Sequence, residues 1–251
     1  VFPCLNEAET VGTCVRKAVD ALRANHLRGE VIVSDNGSTD GSIQIAQDAG
    51  ARVVNAELRG YGNAYMKGFE EARGKYILMA DSDDTYDVAE LPRFLEYLRK
   101  GYDVVMGSRF KGTILPGAMP WMNRYVGNPA LSGLLNFFFR TGIGDAHSGL
   151  RAFTREAYYR MHLRTGGMEF ASEMVINASK AGLRMTEVPI TYYPRSGESK
   201  LHPLRDGWRH LRFMLLYSPT HLYLWPGAFM VTAGFLALLL FSLTPAAPRG
   251  N

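Results

Sequence analysis

The stretch KYILMADSDD, Lys75 to Asp84, joins an apolar run to three carboxylates placed within four positions. A short apolar run bounded by polar residues is typical of a buried β-strand. Carboxylates this close repel one another unless solvent, hydrogen bonds or a cation compensates their charge. The stretch therefore predicts a strand with concentrated negative charge at its carboxyl end, and its neighbours decide which sheet it belongs to.

The charged residues allow two interpretations. Asp84 and Asp87 suit the start of a helix, because Asp87 and Glu90 have the spacing of a capping box before the amphipathic run VAELPRFLEYLRK. Asp81 and Asp83 are alternate residues at a strand end, where carboxylate oxygens can bind Mg²⁺ or Mn²⁺. A D-x-D pair alone is a weak signal, so its surroundings must decide.

Strands and helices alternate around this stretch. In order, the chain reads as a helix in NEAETVGTCVRKAVDALRANH, a strand in EVIVSD, a helix in DGSIQIAQDAG that ends at Gly50, a strand in ARVV, a helix in YGNAYMKGFEEARG, the strand in KYILMAD, a further helix and a strand in DVVMGS. This alternation predicts an α/β fold with an open, mostly parallel sheet in three layers.

Three polar clusters follow predicted strands, namely SDNGSTDG, ADSDD and MGSRFKG. Ligands of such sheets bind beyond the carboxyl ends of the strands, so the clusters predict one site. In the first, Asp35 is a candidate to bind a ribose or a base edge, whereas Asn36, Gly37 and Ser38 suit a turn. GYGNAYMKG is not a dinucleotide fingerprint, because Tyr65 occupies the third glycine position.

Composition limits the class of protein. The chain has 251 residues, of which 47% are hydrophobic and 21% charged, and its formal net charge is +4. These values exclude a disordered chain, and the mild basic excess favours phosphate ligands or anionic membranes. Cys4 and Cys14 lack the spacing of a metal site and are expected to be free thiols in a reducing compartment.

The C-terminal part predicts membrane attachment. LYLWPGAFMVTAGFLALLLFSL, residues 222–243, is long enough to span a bilayer, and no Asp, Glu, Lys or Arg occurs between Arg212 and Arg249. Before it, Arg205, Arg209 and Arg212 recur at helical spacing among apolar residues, as in a helix that lies in the headgroup layer. The same arginines predict that the preceding domain is cytoplasmic.

These patterns divide the chain into an α/β domain over residues 1–200, an amphipathic interfacial segment over 201–219, a transmembrane helix over 220–244 and a tail over 245–251. The chain begins VFPCLNE without a Met, as though a first strand had lost its opening residues, and it stops soon after the apolar segment. Truncation at both ends is therefore expected. No signal peptide is visible.

Seven motifs now stand together, namely PCLNE, SDNGSTDG, GYGNA, ADSDD, MGSRF, DAHSGLRAF and RSGESKL. Their order and spacing resemble those of family 2 glycosyltransferases, and more narrowly the polyprenol-phosphate glycosyltransferases, which include dolichol-phosphate mannose synthases. The resemblance extends to about Leu216. It implies a GT-A fold, a Rossmann-like and mostly parallel sheet with helices on both faces, and a membrane helix after the catalytic domain suits this group.

For the nucleotide of a sugar donor, the resemblance implies a contact loop made by Pro3, Asn6 and Glu7. Asp35 matches the acid that reads the base or the ribose. Arg195 and Lys200, in RSGESK, match a basic loop that closes over the donor phosphates. With Asp81, these two cations complete the set of nucleotide-sugar contacts that the resemblance implies.

Asp81 and Asp83 match the D-x-D pair that holds Mg²⁺ or Mn²⁺ against the donor diphosphate. A divalent ion held by carboxylates stabilises the charge that develops on a leaving diphosphate. Two residues after Asp83, where the synthases often have Gln, this chain has Thr85, which puts a third protein ligand in doubt.

On the acceptor side, Arg109 and Arg124 match the arginines that receive the phosphate of the lipid. A phosphate monoester, with a second pKa of about 6, is largely ionised near neutrality, so the reaction needs no general base. Arginine suits this task because it binds phosphate oxygens bidentately and keeps its charge.

Several residues keep two interpretations. Arg124 and Arg151 could supply positive charge for the phosphates; alternatively, Arg124 could be solvated surface and Arg151 could pair with Asp145. His147 could be a structural histidine or a ligand. The segment 195–200 could be a lid or a linker, and the phenylalanines 137–139 could be core or lie at the bilayer and guide a lipid.

The patterns and the resemblance together predict a membrane-anchored, metal-dependent hexosyltransferase. It would move a hexose from a GDP- or UDP-sugar to a polyprenyl phosphate at the cytoplasmic face, with inversion of the anomeric carbon, and no nucleic-acid partner is expected. One alternative is a processive polysaccharide synthase of the same fold, but its Q-x-x-R-W motif does not occur here. Another is a membrane-tethered nucleotide-binding domain without turnover, against which the D-x-D pair and RSGESK argue.

Overall fold

The structure is a computed structural model that describes residues 1–195 and 203–243, without the side chains of residues 203–206. The strands are β1 Phe2–Cys4, β2 Ile32–Asp35, β3 Arg52–Asn55, β4 Tyr76–Met79, β5 Val104–Ile114, β6 Arg151–Thr154 and β7 Met185–Tyr192. The α-helices are α1 Val11–Ala24, α2 Ser42–Asp48, α3 Tyr61–Glu71, α4 Leu91–Arg99, α5 Asn128–Phe139, α6 Arg155–Met161, α7 Phe170–Lys180, α8 Pro203–Tyr217 and α9 Trp225–Leu243. A 3₁₀ turn spans Val88–Glu90, and π-helical turns span Asn123–Gly127 and Thr220–Leu224.

The strands form two hydrogen-bonded groups, in the orders β1-β2-β3 and β4-β6-β5-β7. The groups are connected, because Val1 N donates to Leu78 O at 2.7 Å and Ala80 N donates to Val1 O at 3.2 Å, in the pattern of a parallel pair. The described strands therefore follow one another as β3-β2-β1-β4-β6-β5-β7. Among them β6 is antiparallel to both of its neighbours, and the other pairs in the two groups are parallel.

The sheet separates two apolar cores. Ile32 of β2 packs in the cluster with side chains of α3, α5 and α7, whereas Val33 packs on the other face with side chains of α1, α2 and α4. Successive residues of a strand point to opposite faces, so a buried strand supplies both cores. The predicted three-layer α/β arrangement is confirmed.

Local signals placed the first helices well. Val11, Cys14 and Val15, whose spacing puts them on one face of the predicted helix α1, are buried. Gly50 follows α2 with φ of 101°, the left-handed conformation that a helix-ending glycine adopts. Both cysteines are buried and free, as expected.

Strand β5 is longer than predicted. The sequence pattern places its end at Ser108, but the strand continues to Ile114 and pairs with β7 at Thr113–Thr191 and Ile114–Tyr192, after an irregularity. Arg109 therefore lies inside an extended strand and not in a loop that follows one.

The C-terminal helices leave the domain through an amphipathic segment. His210 and Met214 of α8 are buried, whereas Trp208, Arg209 and Arg212 are exposed. Among the described residues, Thr220–Leu243 forms one helix that is long enough and apolar enough to cross a membrane. Its mean hydropathy is 1.9, and none of its most apolar stretch is buried. The division of the chain into domains stays a prediction, and the tail lies outside the described residues.

Candidate active site

Asp81, just after β4, accepts hydrogen bonds from two tyrosines. The hydroxyls of Tyr61 and Tyr65 in α3 donate to Asp81 Oδ1 at 2.9 and 3.0 Å. Burial, and then the charge of nearby Asp83, raise the pKa of Asp81 to about 6. The surroundings of Asp81 thus balance its negative charge only in part.

Asp83 is 7% exposed, and Thr85 holds one of its oxygens. The Thr85 N–H and hydroxyl donate to Asp83 Oδ1 at 3.2 and 2.6 Å. Asp83 Oδ2 faces Arg195, whose Nη1 lies 3.4 Å away. Thr85 therefore orients the carboxylate through hydrogen bonds.

The helix-start interpretation holds for one of the two remaining aspartates. Asp87 Oδ1 accepts the Ala89 N–H at 3.0 Å and caps the 3₁₀ turn, as predicted. Asp84 does not cap a helix: it has a φ of 60° and pairs with Lys17, with 2.7 Å between Nζ and Oδ1.

Hydrogen bonds connect the carboxylate segment to β1 and connect the loops after β1 and β2 to each other. The hydroxyl of Ser82, between the two aspartates, donates to Pro3 O at 2.6 Å. Asn6 Oδ1 accepts the Thr39 N–H at 2.8 Å, and Asn6 N donates to Ser38 Oγ at 2.9 Å. Three loops at the carboxyl edge of the sheet thus form one connected rim.

Asp35 lies at this rim, where its carboxylate stabilises a turn. Gly37 N donates to Asp35 Oδ2 at 2.9 Å, and Ser38 N donates to both carboxylate oxygens. Asn36 donates through Nδ2 to backbone carbonyls of the loop after β3. The turn interpretation of these residues is supported, and the nucleotide contact of Asp35 stays a prediction.

Arg195 bridges two acidic residues of the rim. Besides its approach to Asp83, its Nη2 lies 3.7 Å from Glu7 Oε1. The Arg195 Nε atom is buried and has no hydrogen-bond partner among the residues that the structure describes. Lys200, the other cation predicted to contact the donor, lies outside them.

The residues at the end of β4 fit a hard divalent cation. Asp81 and Asp83 offer the carboxylate oxygens that Mg²⁺ and Mn²⁺ prefer. The pKa of Asp81 is raised first by burial and then by the charge of Asp83, and a bound cation would offset both effects. Within the described residues no three His, Cys, Asp or Glu side chains are grouped to hold a metal. An ion bound here would therefore need further oxygen ligands from another source.

Arg109 forms a buried ion pair with Asp145. Its Nε and Nη2 donate to Asp145 Oδ2 and Oδ1 at 2.8 and 2.7 Å, and its backbone N also donates to Oδ2 at 2.9 Å. Asp145 is fully buried, and Arg109 is 6% exposed. The hypothesis that Arg151 pairs with Asp145 is wrong, since Arg109, which enters from β5, takes that place.

Arg151 shapes the loop that precedes β6. It is completely buried and donates, each time at 2.9 Å, to the carbonyls of Ala146, Ser148 and Ala171. Three carbonyls in these directions suit a guanidinium fork, which explains why a charged side chain is tolerated here.

Gly149 brings this loop against the carboxylates. A Cβ added to Gly149 would lie 2.3 Å from Asp81 Oδ2, and its N–H donates to Tyr86 Oη at 2.8 Å. The loop over residues 145–149 therefore touches Asp81 at one end and holds Arg109 at the other.

Arg124 and the phenylalanines 137–139 each have two interpretations, and the structure shows how exposed these residues are. Arg124 is half-buried in the π-helical turn before α5, with its guanidinium 5.4 Å from the centre of the Tyr125 ring. Phe137 is 69% exposed, whereas Phe138 and Phe139 pack partly against the core. The acceptor roles of Arg109 and Arg124 stay predictions.

Sequence reasoning missed Tyr61 and Tyr65 as supports and Asp145 as the partner of Arg109. A signal existed for the tyrosines, because their spacing of four residues puts them on one face of α3. No local signal links Arg109 to Asp145, which are 36 residues apart.

The fold is GT-A-like, as solved structures show. The chain superimposes with a TM-score of 0.67 on glucosyl-3-phosphoglycerate synthase from Mycobacterium tuberculosis in complex with Mn²⁺, UDP-glucose and phosphoglyceric acid, at 23% identity over 86% of this chain and 77% of that one. Mannosyl-3-phosphoglycerate synthase from Rubrobacter xylanophilus gives 0.66, at 19% identity over 100% and 77%. At these identities the likeness concerns the fold alone.

The chain belongs to glycosyl transferase family 2, which it matches over residues 1–161. It is 47% identical, over 96% of its length, to the low-salt glycan biosynthesis hexosyltransferase Agl6 of Haloferax volcanii, and 36% identical, over 82%, to a dolichyl-phosphate hexose transferase of that organism. It is also 40% identical over 82% to glycosyltransferase AglJ. The chain spans 58%, 87% and 66% of the lengths of these three proteins, respectively.

Proposed function

We propose that this glycosyltransferase moves a hexose from a nucleotide-diphosphate sugar to a polyprenyl phosphate, with inversion, at the cytoplasmic face of a membrane. The observation that carries the proposal is that one chain combines two neighbouring carboxylates at the rim, Asp83 buried and Asp81 partly buried, with an apolar helix that has no buried side chain among the described residues. A relative named as a dolichyl-phosphate hexose transferase supports the lipid acceptor.

On the donor side, Asp81 and Asp83 would hold a divalent ion, which stabilises the negative charge of the leaving diphosphate. Tyr61, Tyr65 and Thr85 keep the two carboxylates in place through their hydroxyls. Arg195, which lies at the rim beside Asp83, would bind phosphate oxygens of the nucleotide.

On the acceptor side, Arg109 and Arg124 would bind the lipid phosphate. Arg109 is ion-paired with Asp145. Its guanidinium is therefore held in one orientation, and its positive charge is partly neutralised. The half-buried Arg124 would supply the second positive charge. An ionised phosphate oxygen attacks the anomeric carbon directly, and no side chain has to remove a proton.

The orientation in the membrane follows from charge. Arg209 and Arg212 are exposed on α8, directly before the apolar helix. Lys and Arg next to a membrane helix favour the cytoplasmic side. The catalytic domain, which precedes α8, would therefore lie in the cytoplasm.

The test is transfer itself. Membranes that contain the chain would be incubated with radiolabelled GDP- and UDP-hexoses and a short polyprenyl phosphate, with Asp83→Asn as the inactive control. We expect label in the lipid from one donor and none with the control. Nucleotide binding without transfer to any polyprenyl phosphate would contradict the proposal.

A further inference from the structure

A buried hydroxyl lies between two histidines behind the loop over residues 145–149. Ser172 of α7 is fully buried, and its Oγ is 3.1 Å from His147 Nε2 and 2.8 Å from His210 Nδ1. The two imidazole rings meet edge to face, with their centres 4.7 Å apart. His147 belongs to the loop and His210 to α8, so Ser172 connects the loop to the helix that leads into the apolar helix.

The single proton of Ser172 restricts the direction of these hydrogen bonds. If Ser172 donated to His147, the ring proton of His147 would lie on Nδ1, an atom that is buried without a hydrogen-bond partner among the described residues. Orphaned buried N–H groups are rarer than orphaned acceptors. We therefore assign the proton of His147 to Nε2, which donates to Ser172, and the Ser172 hydroxyl donates to His210 Nδ1.

The charges around His147 agree with a neutral ring. Burial first, and then the electrostatic effects of His210, Arg151 and Arg109, hold the pKa of His147 well below its usual value. The link from α8 to the loop is thus a directed pair of hydrogen bonds between uncharged groups.

The loop at the end of this link is functional on both sides. Asp145 holds the guanidinium of Arg109, and Gly149 lies against Asp81. A shift of the loop would move Arg109 relative to Asp81, and displacements of about 1 Å in an active site can cost roughly a hundredfold in rate.

We propose that Ser172 is a positioning residue through which α8 sets the place of loop 145–149 and of the Arg109–Asp145 pair. Ser172 touches neither substrate and acts through His147. The proposal rests on the proposed function, in which Arg109 of this pair binds the acceptor phosphate. It adds that the position of α8, the helix before the apolar helix, determines the affinity for the acceptor.

The first test compares two serines of the same helix. Ser172→Ala is expected to raise the KM for a short polyprenyl phosphate roughly tenfold or more and to change the affinity for the nucleoside diphosphate by a smaller factor. Ser179→Ala is the matched control, because Ser179 donates to Phe139 O at 2.9 Å, away from the loop. Equal KM values for the two variants would overturn the proposal.

A second pair of variants tests the other end of the link. His210→Asn keeps a hydrogen-bond acceptor near the place of Nδ1, whereas His210→Leu removes it. We expect His210→Asn to retain a KM close to that of the unchanged chain and His210→Leu to match Ser172→Ala. A His210→Asn variant as defective as His210→Leu would count against a hydrogen-bonding role.

A third measurement needs no activity. In the full chain in lipid nanodiscs, ¹⁵N spectra of histidine are expected to show His147 protonated on Nε2, and protonation on Nδ1 would refute the assigned direction. The Arg109 Nε–H signal should change in Ser172→Ala but not in Ser179→Ala, and an unchanged signal would refute the positioning role. If the unchanged chain transfers nothing to polyprenyl phosphate, the proposed function fails while this signal still decides the role of Ser172.

Discussion

We expect Asp81 to destabilise the protein at neutral pH when no cation is bound, because burial, and then Asp83, raise its pKa from the usual 3.8 to about 6. A carboxyl whose pKa is higher in the folded chain than in the unfolded chain favours folding at low pH and opposes it above both values. We expect Asp81→Asn to raise the free energy of unfolding by on the order of 1 kcal/mol at neutral pH, since Asn can still accept the tyrosine hydroxyls. The gain should vanish as the pH falls from about 6 toward about 4.

Urea denaturation with a chelator present measures this difference. A less stable Asp81→Asn variant at neutral pH would mean that the two tyrosines compensate the charge fully.

Asp83 and Asp87 separate a role in the reaction from a role in the fold. Asp83→Asn is expected to lower transfer by several orders of magnitude, because a ligand of the metal loses its charge. Asp87→Ala should keep the activity and lose about 1 kcal/mol of stability, since Asp87 only caps the 3₁₀ turn. Initial rates at saturating donor and thermal unfolding of both variants decide this, and equal losses of activity would remove Asp83 from the metal site.

Arg109 and Arg124 call for different experiments although both are predicted to bind the acceptor. Arg109→Ala would leave Asp145 charged and buried, which costs about 3–5 kcal/mol and endangers the fold. Arg124→Gln removes a half-buried charge and should change stability by less than about 0.5 kcal/mol. We expect it to raise the KM for the lipid phosphate without changing nucleotide affinity by calorimetry; the reverse result would place Arg124 on the donor side.

At the scale of elements, α3 depends on a close approach to the loop before α7. Gly62 N donates to Gly166 O at 2.9 Å, and a Cβ on Gly62 would lie 2.1 Å from Thr165 O. Gly62→Ala should therefore destabilise the protein by about 1–3 kcal/mol through steric overlap with backbone. Gly133→Ala in α5, where a Cβ meets nothing within 4 Å, should instead stabilise it by up to about 1 kcal/mol.

Denaturation midpoints of these two variants test the packing of α3. Because Tyr61 and Tyr65 lie on the same helix, the activity of Gly62→Ala should fall further than its fraction of folded protein. Unchanged stability in Gly62→Ala would show that the loop can move away.

Elements with a local signal were predictable, and those decided by distant partners were not. The apolar spacing of α1 and the glycine after α2 are readable in the chain itself. The second half of β5 exists because β7, about 80 residues away, pairs with it, and the antiparallel direction of β6 depends on both of its neighbours. The site divides in the same way: the D-x-D pair stands in the sequence, whereas the Arg109–Asp145 pair arises only when the sheet assembles.

For the whole molecule, attachment to a membrane should not depend on salt. The most apolar stretch of this helix is not buried in the domain, so its insertion into hydrocarbon would anchor the chain. The arginines of α8 would add an electrostatic contribution. At 1 M salt, charges are screened beyond about 3 Å, but the apolar contribution remains. We expect the chain to stay in the pellet after such a wash and to be released by detergent; release by salt alone would contradict the transmembrane prediction.

Under the proposed function, the exposed apolar helix would also set the geometry in which the enzyme meets its two substrates. A chain anchored in this way moves in the plane of the bilayer, as a lipid acceptor does, whereas a nucleotide sugar arrives from the aqueous volume. Encounters with the acceptor then depend on the number of lipid molecules per unit of membrane area, and encounters with the donor depend on its bulk concentration. Diluting a vesicle suspension with buffer should slow transfer at subsaturating donor and leave the apparent KM for the acceptor, expressed as a mole fraction of the lipid, unchanged. Adding inert lipid to the same vesicles should slow transfer by lowering the surface density of the acceptor and leave the KM for the donor unchanged.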